Sequence, residues 1–398
     1  MQNSTSSSPA TTHPIARGEA PEQAEIARAV LNAEPRPGAP DDAELAKLPL
    51  NDLGNRDRFI RRNGGDLLTI DEMGWHAWDG TRWSAKGGEA TSQICAQRTA
   101  EDMAAKEVPT LPDFDEPEPP EGDTKEAHTM WKKRRDHILG PRLALKAFAL
   151  KSGNVDRCRA MVQHAAPHLR IDAESLDADP WKFNVRNGTI HLNHGRALYP
   201  HRRSDWITKL ANVTYDANAD YSRWERFIEK VLPDAGSAHL VHKWLGYSAC
   251  GDVGEQRIFL CEGRGSNGKS TLLEVIARLM GDYAVVVPID TFLHQERRSG
   301  SGPSPDIARL RGARMVRASE PEIGARLSES TIKQFTGGEK MTARQLHRDF
   351  MEFLPCGKLT LSANFLEKTM VRNGAWSWCC SRRASGLTTR PPWAYPAI

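Results

Sequence analysis

Residues 263–271 read Gly-Arg-Gly-Ser-Asn-Gly-Lys-Ser-Thr, and the fold class turns on this stretch. It completes the pattern G-x-x-x-x-G-K-[ST], in which the backbone N–H groups of a glycine-rich loop cradle phosphates. Before it, Arg257-Ile-Phe-Leu-Cys261 is a short apolar run suited to a buried strand. After it, Thr271–Met280 carries apolar residues at helical spacing. Strand, glycine loop and helix together aim a helix N-terminus and its amide dipoles at a triphosphate. Gly263, Gly265 and Gly268 permit close backbone approach and positive φ. Lys269 is suited to the β- and γ-phosphates and Ser270 to Mg²⁺, with Asn267 and Thr271 completing the loop. A mere glycine-rich turn is the weaker reading beside such flanks. ATP and Mg²⁺ are the expected cofactors.

Hydrolysis also needs carboxylates near the metal and a polar group to position water. Ala313-Arg-Met-Val-Arg-Ala-Ser319 reads as a strand that ends in Glu320-Pro321-Glu322. A parallel α/β sheet places its ligand crevice at the C-terminal ends of its strands. Glu320, acting on Mg²⁺ or the nucleophile, and Glu322 are therefore the candidate acidic pair. Lys358-Leu-Thr-Leu-Ser-Ala-Asn364 is a further strand, and its terminal Asn364 offers both a donor and an acceptor to a γ-phosphate or water. Between these strands, Gly337-Gly338 with Lys333, Lys340, Arg344 and His347 suits a basic hairpin able to track a phosphate backbone. The plain alternative is a solvated charged face.

The chain has 398 residues, enough for several domains, with 39% hydrophobic and 26% charged residues. No apolar run approaches a membrane span and no signal-peptide core is evident, so a cytoplasmic protein is expected. Seven scattered cysteines without a CxxC pair indicate neither a zinc site nor a disulfide framework. A net charge of +3 leaves nucleic-acid binding to local patches.

Composition divides the chain further. Residues 1–50 are rich in Ser, Thr, Ala and Pro and read as disordered, with one short helix near 22–32. Residues 51–108 form a small domain, with strands at 67–70 and 75–78 and a tight hairpin from Trp78 to Trp83. Trp75, Trp78 and Trp83 either stack bases or, more commonly at such spacing, fill a small core. Residues 109–127 are a stiff, acidic, Pro-rich linker or exposed insertion. Residues 128–250 combine helices with a hairpin signalled by Asn187-Gly188. Residues 251–366 hold the ATPase core, and 367–398 form the tail.

The motif series resembles the helicase domain of phage and plasmid primase-helicases, a branch of helicase superfamily 3, and is similar to the poxvirus-type primase-helicase. The resemblance rests on the glycine loop, Ser-Glu-Pro-Glu at 319–322, Ile-Lys-Gln-Phe-Thr-Gly-Gly at 332–338, Ala343-Arg344, Phe353-Leu-Pro355 and the strand ending at Asn364. Upstream, Asn187-Gly188-Thr189, Trp224 and Trp244-Leu-Gly-Tyr247 look like the domain that precedes the ATPase core, so the coverage is roughly 170–366. The resemblance implies an α/β fold: a P-loop ATPase core with a mostly parallel sheet, preceded by a helical collar and a small mixed α/β N-terminal domain. It implies an ATP-hydrolysing DNA helicase of replication, working as a ring, typically a hexamer, on single-stranded or forked DNA with replication-initiation partners. Glu320, Glu322 and Asn364 then act in catalysis. Lys333, Lys340, Arg344 and His347 fall near the channel hairpin. No primase site is recognised in residues 1–170.

The tail departs from that pattern. After Glu367 no acidic residue occurs, Cys379 and Cys380 are adjacent, and three tryptophans crowd residues 376–393. We hypothesise a reading-frame slip near residue 376, which removes the apolar strand expected there and corrupts the segment just beyond the Asn364 strand, where the resemblance places an arginine finger. Resequencing the locus and finding the strand only in this same frame would sink that idea. A non-hydrolysing, nucleotide-binding remnant that associates with DNA or other subunits is the alternative function. A small-molecule P-loop kinase fits less well, since the Asn-ended strand and the basic Gly-Gly segment replace a substrate lid.

Overall fold

The computed structural model describes residues 41–379, apart from 72, 120, 123, 264–266, 295–303, 320–325, 345–349 and 364–376. The expected helix near 22–32 lies outside them.

The N-terminal part begins with two helices, α1 (Asp42–Ala46) and α2 (Asp52–Asn63), and a three-stranded antiparallel sheet of β1 (Leu67–Ile70), β2 (Gly74–Trp78) and β3 (Trp83–Ser84). Side chains alternate across a strand, and β1 uses both faces. Leu67 enters a core with Phe59, Trp75, Cys95 and Met161, whereas Leu68 and Ile70 join Trp78 and Trp83 on the other side. The three tryptophans are therefore core. Trp83 stacks on Trp206 at 5.6 Å and donates its indole N–H to the Arg203 carbonyl at 2.9 Å, which leaves no face for a base.

Helices α3 (Gly88–Asp102), α4 (Lys125–Ser152) and α5 (Val155–Ala165) follow. The core around Phe59 takes Cys95 and Ala96 from α3 and Cys158, Met161 and Val162 from α5, so it runs across the Pro-rich segment. That segment is no free spacer. Helical turns at Met103–Glu107 and Val108–Thr110 continue α3, and the chain then returns along α4.

The start of this unit also departs from the disordered reading of residues 1–50. Arg58 is fully buried, pairs with the buried Glu107 at 2.8 Å and donates to the carbonyls of Leu45, Leu48 and Pro49. A guanidinium out of water needs all its donors satisfied. The chain from α1 to Pro49 is held for that reason.

Next comes a small antiparallel sheet of β4 (Lys182–Val185), β5 (Gly188–His191) and β6 (Ala197–Tyr199). Val185 pairs with Gly188, so the two-residue loop is Arg186-Asn187, one residue earlier than the Asn-Gly signal suggested. Asn187 exchanges side-chain bonds with the Tyr215 backbone, both at 2.9 Å, and this fixes the shift. Helices α6 (Ser222–Val231) and α7 (Ala235–Ala249) deliver the chain to the main sheet.

That sheet contains β7 (Ile258–Glu262), β8 (Ala284–Val286), β9 (Met315–Ser319), β12 (Lys358–Ala363) and β13 (Ser377–Cys379), in the order β13-β7-β12-β9-β8 and all parallel. A parallel sheet covered on both faces needs apolar residues at successive positions. In β7, Phe259 and Cys261 face one core with Trp244, Leu272 and Ile276, while Ile258 and Leu260 face another with Phe292, Val316 and Phe335. The first core also contains Phe183, Val185 and Ile190, so β4 and β5 are fused to the sheet rather than tethered to it.

Besides short 3-10 turns, the remaining described elements are α8 (Lys269–Met280), α9 (Pro305–Ala308), α10 (Glu329–Thr336) and the hairpin β10 (Met341–Arg344) with β11 (Phe350–Phe353). Strand β13 bears on the frame-slip hypothesis. A parallel edge strand forms beside β7 at Ser377–Cys379 with the residues as they stand, so the expected strand need not be lost. Among the described residues, no helix is long and apolar enough to cross a membrane.

Candidate functional site

The glycine loop joins β7 to α8, as its flanks predicted. Gly268 caps α8 at φ 87°, a left-handed conformation, and contributes no side-chain cap to the helix. A Cβ at Gly268 would lie 2.6 Å from Val231 Cγ1 at the end of α6, so both conformation and space require glycine. The first amides of a helix have no partner within it. Here the Lys269 N–H makes one long bond, 3.4 Å, to the Asn267 side chain, and Ser270 and Thr271 follow as exposed residues. The Lys269 ammonium donates to the Gly263 carbonyl, which folds its side chain back over the loop. Uncapped amides, a cation and a hydroxyl at one helix start make a donor set that fits a phosphate chain and a hard divalent cation.

The sheet register levels the strand ends beside this loop. Ala363 pairs with Glu262, Ser362 pairs with Ser319, and the Gly263 N–H donates to the Ala363 carbonyl at 3.3 Å. The C-terminal ends of β7, β12 and β9 are therefore level, on the side where the loop sits. Asn364 directly follows β12, and Glu320 and Glu322 follow β9; these three, like Gly265 and His347, lie outside the described residues.

The basic segment is organised differently from its reading. Lys333 lies in α10, where it pairs with Glu329 at 3.6 Å, and Gly337 closes that helix instead of turning a hairpin. The hairpin comes later, as β10 and β11. Lys340 enters it carrying two carboxylate partners, Glu174 and Glu352, each at 3.4 Å. Hydrogen bonding to those two carboxylates, Glu174 foremost, raises its pKa. Arg344 ends β10 with its guanidinium 5.2 Å from the centre of the Phe350 ring. Phe350 and Leu354 are exposed.

The opposite end of the sheet holds residues that the sequence reading passed over. Arg314, just before β9, is buried and donates to the carbonyls of Ala249 at 2.6 Å and Lys182 at 2.7 Å, with Asp179 at 3.4 Å. Lys358, the first residue of β12, donates to the carbonyls of Cys250 and Cys356 and lies 4.7 Å from the Tyr247 ring. Burial pushes its pKa down to about 8. These cations close the C-terminal end of α7, where unpaired carbonyls and the helix dipole favour positive charge. Trp244 of the same helix donates to the Thr360 hydroxyl at 2.9 Å and stacks on Phe259. They position the strands that carry the loop. No sequence signal marks them, because the carbonyls of Ala249, Cys250 and Lys182 that they bond lie far away in the chain.

Comparison with known proteins agrees with the motif reading. Residues 56–233 match the family model described as D5 N terminal like. A protein named as a putative helicase of Acanthamoeba polyphaga mimivirus is 29% identical over 223 residues, covering 54% of this chain and 22% of that protein. One named as a putative primase of African swine fever virus is 22% identical over 231 residues, 56% of this chain and 24% of its own. One named as a putative helicase of Frog virus 3 is 26% identical over 144 residues, 35% and 15% of the two chains. The chain thus spans less than a quarter of the length of these relatives. Among solved structures, the C-terminal region of NrS-1 gives a TM-score of 0.29 at 13% identity, over 36% of this chain and 32% of that one, a likeness too slight to argue from. The resemblance to primase-helicases is borne out, and it begins near residue 56, well before the start near 170 set by the motifs.

Proposed function

We propose that this primase-helicase-like chain is an ATP-dependent DNA helicase or translocase of replication, working as a homo-oligomeric ring on single-stranded or forked DNA. The observation that carries this is the uncapped start of α8, with Lys269 folded over it, level with the ends of β9 and β12. Bound MgATP would supply the phosphoanhydride to be cleaved. The amides of residues 268–271 and Lys269 hold its phosphates, and Ser270 with Glu320 holds the metal. Glu320 and Glu322 orient or deprotonate the attacking water, and Asn364 senses the γ-phosphate. The β10–β11 hairpin presents Arg344 to the DNA backbone, and His347 is assigned there from the sequence alone; Lys340 reaches it only by exchanging its carboxylate partners.

The test is ATP hydrolysis by the purified chain with and without single-stranded DNA, beside Lys269→Ala. DNA-stimulated turnover that the substitution abolishes is expected. Binding of ATP with no turnover in either condition would refute the motor and leave the non-hydrolysing reading.

A further inference from the structure

The longest helix carries a charge imbalance that the ATPase reading does not use. Helix α4 holds eight Lys and Arg against two acidic residues, Glu126 and Asp136. Its C-terminal half buries Leu145, Ala149 and Ser152 against the body of the protein. One face of a helix continues through positions seven and eleven residues apart. Further toward the N-terminus that same face holds Arg142, Arg135, Arg134 and Trp131.

This face is covered by the protein's own acidic strap, residues 111–119, which runs extended along the helix. Asp113 pairs with Arg142 at 2.9 Å and Glu116 with Arg134 at 2.7 Å. Phe114 sets its ring edge-on to Trp131, 5.6 Å between centres, and the Trp131 indole N–H donates to the Pro117 carbonyl at 3.1 Å. Arg135 lies over the other part of the surface, 5.2 Å from the Trp131 ring centre. An extended backbone with carboxylates at intervals and a ring on a tryptophan has the layout of a single strand, with phosphates at intervals and a base on an aromatic. The Glu116 pair is solvent-exposed, with Arg134 at 64% and Glu116 at 44%, while in the Asp113 pair the aspartate is exposed and Arg142 is half-buried, donating also to the Leu111 carbonyl at 3.3 Å. Exposed pairs are individually weak, so a polyanion can replace them.

We propose that the Trp131–Arg134–Arg142 face of α4 is a second binding surface for single-stranded DNA, and that the strap of residues 111–119 occupies it as an internal competitor. Arginines take the phosphates and Trp131 takes a base. The surface stands outside the ATPase core and needs neither nucleotide nor turnover, so it is tested separately from the motor.

The experiment measures fluorescence anisotropy of a labelled oligothymidylate with the full chain, without nucleotide, over a range of salt. Two strap variants are used: the neutralised Asp113→Asn/Asp115→Asn/Glu116→Gln/Glu118→Gln, and Phe114→Ala, which loosens the strap at constant charge. Both are expected to bind more tightly than the parent, the neutralised one by at least about fivefold, with a salt dependence steeper by about 2 in log–log slope. Adding Trp131→Leu to either variant is expected to remove at least about fivefold in affinity. Adding Arg134→Ala/Arg142→Ala is expected to erase the gain. Unchanged affinity in both strap variants overturns the proposal, as does a gain that survives loss of the two arginines. Polyglutamate competing as well as unlabelled oligothymidylate at equal charge also overturns it, and assigns the face to an acidic protein instead. Circular dichroism checks that each variant folds, and Phe114→Ala keeps the test open if the neutralised strap does not.

Discussion

The two ends of the main sheet treat charge in opposite ways. At the N-terminal end, Arg314 and Lys358 are buried, donate to backbone carbonyls and lie against aromatic rings. At the C-terminal end, Gly268 leaves the start of α8 uncapped and Ser270 and Thr271 exposed. One end satisfies its polar groups internally and thereby fixes strands to the preceding helices. The other keeps donors in reserve for a ligand. Stability should therefore be concentrated at the first end and ligand response at the second.

The strongest challenge to this contrast is Arg314→Ala. It strips hydrogen bonds from the buried carbonyls of Ala249 and Lys182, and each such loss costs about 1–3 kcal/mol. We expect a destabilisation of about 3–5 kcal/mol in urea unfolding, with ATP affinity of the folded fraction preserved.

Lys358 gives a smaller effect that depends on pH. Its folded pKa, about 8, lies below the ordinary lysine value of 10.5. Below pH 8 the ammonium is charged in both states and the cost of burying it is fully present. Between pH 8 and 10.5 the folded group loses its proton first, so stability rises with pH across that window. Relative to Lys358→Met, the parent should gain about 1–3 kcal/mol over this range. Lys209, whose pKa burial also lowers, is common to both proteins, so its contribution largely cancels in the comparison. A parallel pH dependence in the two proteins would show that Lys358 is not desolvated.

At the other end, Gly268→Ala should cost about 1–2 kcal/mol, from its positive φ and the contact with Val231. It should weaken ATP binding at the same time. Lys269→Ala should change unfolding by less than about 0.5 kcal/mol. It should nonetheless abolish the stabilisation of about 2.7 kcal/mol that ATP gives at a hundred times its dissociation constant. A large stability loss from this last change would break the division between the two ends.

The sequence revealed much of the ligand end and little of the other. Strands β7, β9 and β12 stand within two residues of their reading, because a strand buried on both faces appears as an unbroken apolar run. The glycine loop is local chemistry and needed no partner. Lys358 and Arg314, by contrast, look like ordinary solvated cations until α7 folds its last carbonyls onto them. The acidic strap reads as a linker or exposed insertion for a related reason. Its composition suits a spacer, and only the position of Trp131 and Arg142 on one face of α4 holds it down. Helix α10 was hidden because Gly337-Gly338 resembles a hairpin turn as much as a helix end, whereas the Ser328 cap settles the matter in three dimensions. The roles of Glu320, Glu322 and Asn364 rest on the sequence and on the strand ends they follow.

The strand order also sets the timing of assembly. β7 takes one neighbour from β12, about a hundred residues later in the chain, and the other from β13, later still. Loop-closure entropy makes such distant pairing slow. The core around Phe59 and Trp75, closed within residues 59–165, can form while the ribosome is still making β9. The strand that carries the glycine loop has no neighbour in the sheet until β12 has been synthesised. The loop's geometry is thus set after the core around Phe59, and a nucleotide present at that moment would act on the pairing of β7.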